Sequence, residues 1–184
     1  MKTINPTSVI QNVLAANMGL DTYLSIMKAV WNTDVSIDAD FQRTFNGYYK
    51  VRRNAEWRGK YYRLFESVKG DRQVTFEFII DELYRQTGNI EASFASKMLA
   101  TVRSEMPIWD KYVVENLGLS LPKLSDPQRL NKIKDLYGSI CKWYDVFLKT
   151  ESSHECLCMF DRLLPDYTWI SPVKKIDFYL WSIR

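Results

Sequence analysis

Apolar residues recur at intervals of three and four positions along the chain, and this spacing limits the fold more than any other feature of the sequence. One such series is Phe41, Phe45 and Tyr48, and a later one includes Ile140 and Tyr144. The spacing places apolar side chains on one face of an α-helix. Alternating apolar and polar residues bounded by turn dipeptides, the pattern typical of β-hairpins, do not occur. The sequence therefore predicts an all-α fold.

Capping residues, glycines and prolines divide the chain into predicted helices. Thr7 or Ser8 opens a first helix that runs to Asn17, and Asp21 caps a second that runs to about Trp31. A third helix is predicted to begin at Asp38 or Asp40, and three more to cover 54–68, 75–86 and 93–102. The next helix runs from Pro107 to near Gly118, and two further helices run from a capping box at Ser125 to about Thr150 and from a capping box at Ser152 to Leu164. The last predicted helix runs from Ser171 to the end.

No linker rich in glycine, serine or proline separates these helices, so we expect one compact helical bundle over residues 1–184. The chain has no run of about 18 apolar residues and no apolar leader, so we expect no membrane span and a cytoplasmic location. Three cysteines, Cys141, Cys156 and Cys158, are an odd number in the C-terminal third. We expect reduced thiols rather than a disulfide framework.

Positive charge is concentrated in one short segment, although the net charge of the whole chain is only +3. Residues 48–63 contain six basic residues against one acidic residue, Glu56, a local excess of five positive charges. Lysine and arginine neutralise phosphates, and interleaved tyrosine or tryptophan rings can stack on bases. The sequence therefore predicts a DNA-binding face. The predicted DNA contacts in this segment are Lys50, Arg52, Arg53, Arg58 and Lys60.

The same segment also fits a purely structural interpretation. Trp57, Tyr61 and Phe65 lie at helical spacing, which is more typical of a buried stripe than of a stacking platform. In that interpretation the aromatic residues belong to the core and the charges face solvent. The excess of positive charge is present in either case.

A second motif lies in residues 95–119. A helix rich in small residues is followed by Pro107-Ile108-Trp109-Asp110 and, at the end of the next predicted helix, by Asn116-Leu117-Gly118-Leu119. This segment resembles the second half of the signature of the helix-hairpin-helix DNA glycosylases, a superfamily that includes the 8-oxoguanine glycosylases. The resemblance covers only this stretch and implies a helix-hairpin-helix arrangement.

The resemblance implies that Asp110 is the catalytic carboxylate, which stabilises the positive charge left on the sugar when a base is excised. It also implies that Trp109 or Tyr48 stacks on a flipped base, and that Lys97 is a further DNA contact. Where the family has a glycine-rich hairpin turn, this chain has residues 88–92, and no lysine follows at 91–93. We therefore expect a monofunctional enzyme that uses water.

The alternative function is a non-catalytic helical module that binds nucleic acid or protein. Of His154, Cys156 and Cys158, only His154 and Cys158 share a helical face, so we predict no metal site. No glycine-rich phosphate loop is present, so we expect no small-molecule cofactor. The sequence leads to no prediction of the oligomeric state.

Overall fold

Nine α-helices and one turn of 3₁₀ helix form the regular structure of residues 19–182, which are the residues that the computed structural model describes. No strand occurs among these residues, and the all-α prediction is confirmed. The described residues group into two compact units, 19–103 and 104–182, called here the N-terminal and C-terminal units. The helix predicted from Thr7 or Ser8 to Asn17 lies outside the described residues, and the single-domain organisation stays a prediction.

Five helices form the N-terminal unit, in which consecutive helices pack as α1 on α2, α3 on α4 and α4 on α5. They are α1 (Leu20–Ala29), α2 (Ala39–Tyr49), α3 (Ala55–Val68), α4 (Phe76–Thr87) and α5 (Ala92–Val102).

Local capping explains why most of these helices begin where the sequence predicts. The Asp38 carboxylate accepts hydrogen bonds from the amides of Asp40 and Phe41, and Asn54 and Thr75 cap α3 and α4 in the same way. One start differs from the prediction. Helix α1 is preceded by Gly19 at φ 67° and has no side-chain cap, so Asp21 lies in its first turn instead.

An aromatic core holds α2 and α3 together. The ring of Phe45 lies 5.5 Å from that of Phe65 and 6.0 Å from that of Tyr62, both edge-on. Two buried hydroxyl groups are also satisfied: Tyr62 donates to Asn46 Oδ1 (2.9 Å), and Tyr61 donates to the carbonyl of Phe94 in α5 (3.0 Å). Helix α3 is therefore fixed against α2 on one side and α5 on the other.

The C-terminal unit contains four helices and the 3₁₀ turn, with α9 packed on both α6 and α8. The elements are α6 (Lys111–Asn116), α7 (Arg129–Phe147), α8 (Glu151–Leu163), the 3₁₀ turn (Pro165–Tyr167) and α9 (Pro172–Ser182). None of the helices in residues 19–182 combines the length and the apolar character needed to cross a membrane.

Three predicted helix starts in this unit are corrected. Pro107 lies in an extended segment rather than in a first turn, because α6 begins only at Lys111. Helix α7 begins at Arg129, after the Asp126 carboxylate has accepted a hydrogen bond from the amide of Gln128. Helix α8 begins at Glu151 and is capped by Thr150, so the predicted capping box at Ser152 does not form its start.

The cap of α8 can be tested, because the structure has Thr150 as the capping residue and the sequence pattern predicts Ser152. Thr150→Ala should lower the free energy of unfolding by about 1 kcal/mol, because the amide of Ser153 loses its side-chain acceptor. Ser152→Ala, at the predicted cap, should change it by less than about 0.5 kcal/mol. Denaturant unfolding of both variants measures the difference, and equal losses would show that Thr150 is not the cap.

Candidate functional site

The basic segment spans the end of α2, the linker 51–54 and the first half of α3. Lys50 ends α2 in a left-handed conformation with φ 55°, the only described residue other than glycine with a positive φ. This conformation turns the chain sharply away from the axis of α2. Lys50 and Arg52 are exposed, whereas Val51 between them is buried. The linker thus points its cations outward while Val51 anchors it to the core.

Arg53 differs from Lys50 and Arg52 because it forms an ion pair. Its guanidinium makes a two-pronged pair with the carboxylate of Glu91, with nitrogen–oxygen distances of 3.1 and 3.0 Å. It also lies 5.1 Å from the Phe94 ring centroid and 5.8 Å from that of Trp57. The Glu91 side chain is only 7% exposed, so its charge needs this partner. Two donors of Arg53, Nε and Nη2, bind Glu91, and its role as a phosphate contact stays a prediction.

Lys60 and Lys97 also have partners. The Lys60 ammonium lies 2.9 Å from the Glu56 carboxylate, one turn earlier in α3. Lys97 projects from α5 and donates to the carbonyl of Tyr49 at the end of α2 (3.2 Å), with its ammonium 5.4 Å from the Phe94 ring centroid. The structure thus brings Lys97 and Arg53 to the same ring, a juxtaposition that their positions in the sequence do not indicate.

Four cations of the segment carry no ion pair with any described residue: Lys50, Arg52, Arg58 and Arg63. We call these four residues the basic surface. Three of them are exposed and Arg58 is half-buried. The two acids of the region, Glu56 and Glu91, are neutralised by Lys60 and Arg53. The charge excess predicted from the sequence therefore remains, carried by fewer residues than predicted.

Most aromatic residues of the segment belong to the core. Tyr49 and Trp57 are 6% and 7% exposed, and Tyr61 and Tyr62 are fully buried. Only Tyr48 is half-exposed, with its ring 6.1 Å from Tyr23 and 4.7 Å from Tyr49. These rings therefore belong to the core, as the structural interpretation of the segment expects. Among the aromatic residues of 48–63, only Tyr48 is partly exposed to solvent.

Asp110 lies in the C-terminal unit, where it caps α6. Its carboxylate accepts a hydrogen bond from the amide of Tyr112 (2.9 Å), and the residue is half-buried rather than sealed. The extended segment before it is held at Pro107, whose carbonyl accepts from the Tyr137 hydroxyl (2.8 Å). Trp109 is only 6% exposed and belongs to the core, and its stacking on a flipped base stays a prediction.

Two buried charged residues of α9, Lys174 and Asp177, lie close to Asp110. The Asp177 carboxylate accepts hydrogen bonds from the Tyr144 hydroxyl and from the amide of Ile108, and its Oδ2 lies 3.8 Å from the Lys174 ammonium. Burial raises the pKa of Asp177 to about 6, although Lys174 opposes that shift. Burial also lowers the pKa of Lys174, against the nearby charges of Asp177 and Asp110.

Sequence reasoning missed Lys174 and Asp177, because polar residues beside an apolar helical stripe are usually solvated. Asp177 lies between the inward-facing residues predicted for this helix, Ile176 and Tyr179, and Lys174 lies two positions before Ile176. Only the contact with the segment 107–110 distinguishes them from surface charges. No signal within the helix itself indicates that contact.

A shallow groove of about 520 Å³ lies between the loop 120–126 and the start of α7. Its charged lining residues include Lys132 and Asp126, whose side chains pair at 2.5 Å. None of the predicted site residues lines this groove. Its mixed charge distinguishes it from the basic surface.

Comparison with protein-family models, curated proteins and solved structures gives no match for this chain. The resemblance of residues 95–119 to the helix-hairpin-helix glycosylases therefore stays a prediction.

Because the pKa of the buried Asp177 is raised, we expect the free energy of unfolding to depend on pH in a specific way. Its pKa is higher in the folded chain than its ordinary value of 3.8, so folding favours the protonated carboxyl. The contribution of this residue to stability is therefore greatest below 3.8 and falls as the pH rises to about 6. As the pH rises through this range, the free energy of unfolding of the wild type should fall by roughly 2–3 kcal/mol relative to that of Asp177→Asn, at about 1.4 kcal/mol per pKa unit.

Thermal unfolding of the wild type and Asp177→Asn across this range of pH measures the effect. Asp145→Asn, which removes an exposed carboxylate of α7, is the matched control and should track the wild type at every pH. A wild-type minus Asp177→Asn difference that stays constant with pH would contradict the assignment.

Proposed function

We propose that the chain binds DNA through the sugar–phosphate backbone, using the basic surface of the N-terminal unit. The observation that carries the proposal is the set of four unpaired cations within 14 residues, beside acids that are already neutralised. Exposed cations without acidic partners attract a polyanion and release its condensed counterions on binding. A protein partner with an acidic face is the alternative, and the experiment below separates the two.

The burial of the aromatic residues indicates how the DNA is recognised. Sequence-tolerant binding of single strands normally uses several exposed rings, on which successive bases stack. Here Tyr48 is the single partly exposed ring of residues 48–63, since the others lie in the core. We therefore favour contacts with phosphates over contacts with bases, and a duplex over an unpaired strand. Such binding is independent of base sequence.

Salt dependence of binding tests this function. Each phosphate contact with duplex DNA contributes about 0.9 to the slope of log affinity against log salt concentration. Replacing Lys50, Arg52 and Arg58 together by glutamine should therefore lower the slope by about 2 to 3 and weaken binding at low salt at least tenfold. Fluorescence anisotropy of a labelled duplex over a series of salt concentrations measures both quantities.

The matched control replaces three exposed lysines of the C-terminal unit, Lys123, Lys142 and Lys149, by glutamine. This variant has the same net charge as the first one and should keep the wild-type slope within about 0.5. An equal loss in both variants would show that total charge, not the basic surface, governs binding. Wild-type binding that is insensitive to salt would reject the DNA proposal.

A second candidate function is cleavage of the base–sugar bond of a damaged base by Asp110. The observation in its favour is the position of this carboxylate: half-exposed, on a segment held by buried hydrogen bonds, and close to the charge of Lys174. A rigidly held carboxylate can stabilise the positive charge that develops on the sugar. In this proposal Asp110 works with water, without a covalent lysine intermediate.

The activity is tested with a duplex containing 8-oxoguanine, incubated with the wild type, Asp110→Asn and Asp126→Asn. Asp126 is a suitable control, since it is a half-buried aspartate that accepts a backbone hydrogen bond just before a helix of the same unit. The wild type and Asp126→Asn should yield abasic product without strand cleavage, and Asp110→Asn should lose at least 100-fold in rate. Absence of product from the wild type would remove this candidate and leave the binding function.

The cytoplasm is the location that we propose, because the three cysteines are free thiols in the structure.

A further inference from the structure

Helix α8 places a thiol and an imidazole side by side on its exposed face. His154 and Cys158 are four positions apart, both are exposed, and Cys158 Sγ lies 3.5 Å from His154 Nδ1. Residues at this spacing share one helical face. His154 is the single histidine of the chain, and Cys158 is the exposed one of its three cysteines. The one imidazole therefore lies within hydrogen-bond distance of the one exposed thiol.

This contact gives the thiol a base to which it can pass its proton. A neutral imidazole that has its proton on Nε2 accepts a hydrogen bond at Nδ1, so the Cys158 thiol donates to it. The thiolate is the reactive form of cysteine, and a base within hydrogen-bond reach takes up the thiol proton as the sulfur attacks. The pair of His154 and Cys158 thus contains both groups that nucleophilic chemistry at sulfur needs.

The other charged side chains on this face of α8 contribute effects of both signs. Glu151 lies three positions before His154, where its carboxylate stabilises the positive charge that the imidazole gains with the proton. Glu155 lies three positions before Cys158 and Arg162 four positions after it, so their opposite charges offset each other at the sulfur. Removal of the thiol proton therefore depends on His154 rather than on the surrounding charges.

The elements that pack against α8 are α9 and the 3₁₀ turn. Lys175 of α9 pairs with Asp161 of α8 (2.5 Å), and Lys174 of α9 pairs with Asp177 on its own helix (3.8 Å). All three charged residues of α9 therefore have partners. The 3₁₀ turn carries one charged residue, the exposed Asp166.

The other two thiols lie in different surroundings. Cys156 is buried, and burial raises the pKa of its thiol to about 11, which disfavours the thiolate. Cys141 is half-buried in α7. Neither has an imidazole beside it, since the single histidine is paired with Cys158. Exposure and a neighbouring base therefore coincide at Cys158 alone among the three cysteines.

We propose that Cys158 is a site of reversible modification by small-molecule disulfides, with His154 as the base. The Cys158 S–H bond breaks and its proton passes to His154 Nδ1, while Sγ forms a bond to one sulfur of the disulfide. The disulfide bond of the reagent breaks, and its second sulfur leaves as a thiolate that takes the proton back from the imidazolium. Cys158 is thereby oxidised to a mixed disulfide, and half of the reagent is reduced to a thiol. This site is independent of DNA binding.

Reaction of the full-length reduced protein with 2,2′-dithiodipyridine, an uncharged disulfide, tests the proposal, because the thione that it releases absorbs in the near ultraviolet. The wild type should show one rapid phase, and peptide mass spectrometry should place the modification at Cys158. Cys141→Ser should keep this phase and Cys158→Ser should lose it.

The pH dependence of the rate separates the action of the base from simple exposure. At pH 7, His154→Asn should react about fivefold more slowly, the factor that one charge contact at roughly 4 Å supplies in water. At pH 10 the two rates should converge, because an ordinary thiol, with a pKa of about 8.5, ionises there without a base. Ser152→Asn, an exposed substitution on another face of α8, is the matched control and should change the rate less than twofold.

Three results would overturn the proposal. The first is a rapid phase that is absent from the wild type or that remains in Cys158→Ser. The second is an equal rate in the wild type and His154→Asn at pH 7, which would show that exposure alone governs the reaction. The third is a deficit of His154→Asn that is as large at pH 10 as at pH 7, which would assign the histidine a structural role. Circular dichroism of each variant checks that the helices are intact.

Discussion

The ion pair between Arg53 and Glu91 is the interaction on which the N-terminal unit depends. The Glu91 side chain is only 7% exposed, and the arginine fork supplies two hydrogen bonds to its carboxylate. The pair ties the linker 51–54 to Glu91, the residue that precedes α5, and the guanidinium lies 5.8 Å from the Trp57 ring centroid and 5.1 Å from that of Phe94. Arg53 is half-exposed and paired, whereas its neighbour Arg52 is exposed and has no ion pair with a described residue.

A similar constraint operates in the C-terminal unit. There Asp177 is buried and binds the amide of Ile108, two residues before Asp110. Lys174 lies 3.8 Å from the Asp177 carboxylate, and its charge is attracted by both Asp177 and Asp110, which repel each other. In both units, therefore, an ion pair with at least one buried member lies beside a segment that contains proposed functional residues. The two pairs differ in exposure, since Arg53 is half-exposed, whereas Lys174 and Asp177 are both buried.

The helices follow from the sequence far more closely than the site does. Caps such as Asp38 and Asn54 act over two or three residues, so the sequence contains the whole interaction. The pairing of Arg53 with Glu91 and the electrostatic interaction of Lys174 with Asp110 depend on tertiary packing, which helical spacing does not encode. For the same reason the local excess of positive charge is predictable, but which cations remain unpaired is not. The burial of Trp109 is likewise not encoded in the local motif.

Mapping of the DNA contact by backbone-amide NMR tests the central claim most directly. Addition of a short duplex at low salt should shift the amide signals of residues 50–63 in proportion to the fraction bound, and salt should reverse these shifts. The amides that line the groove of residues 120–139 should stay unchanged. Shifts confined to the C-terminal unit, or shifts in residues 50–63 that persist in high salt, would contradict the assignment of the basic surface as a phosphate-binding site.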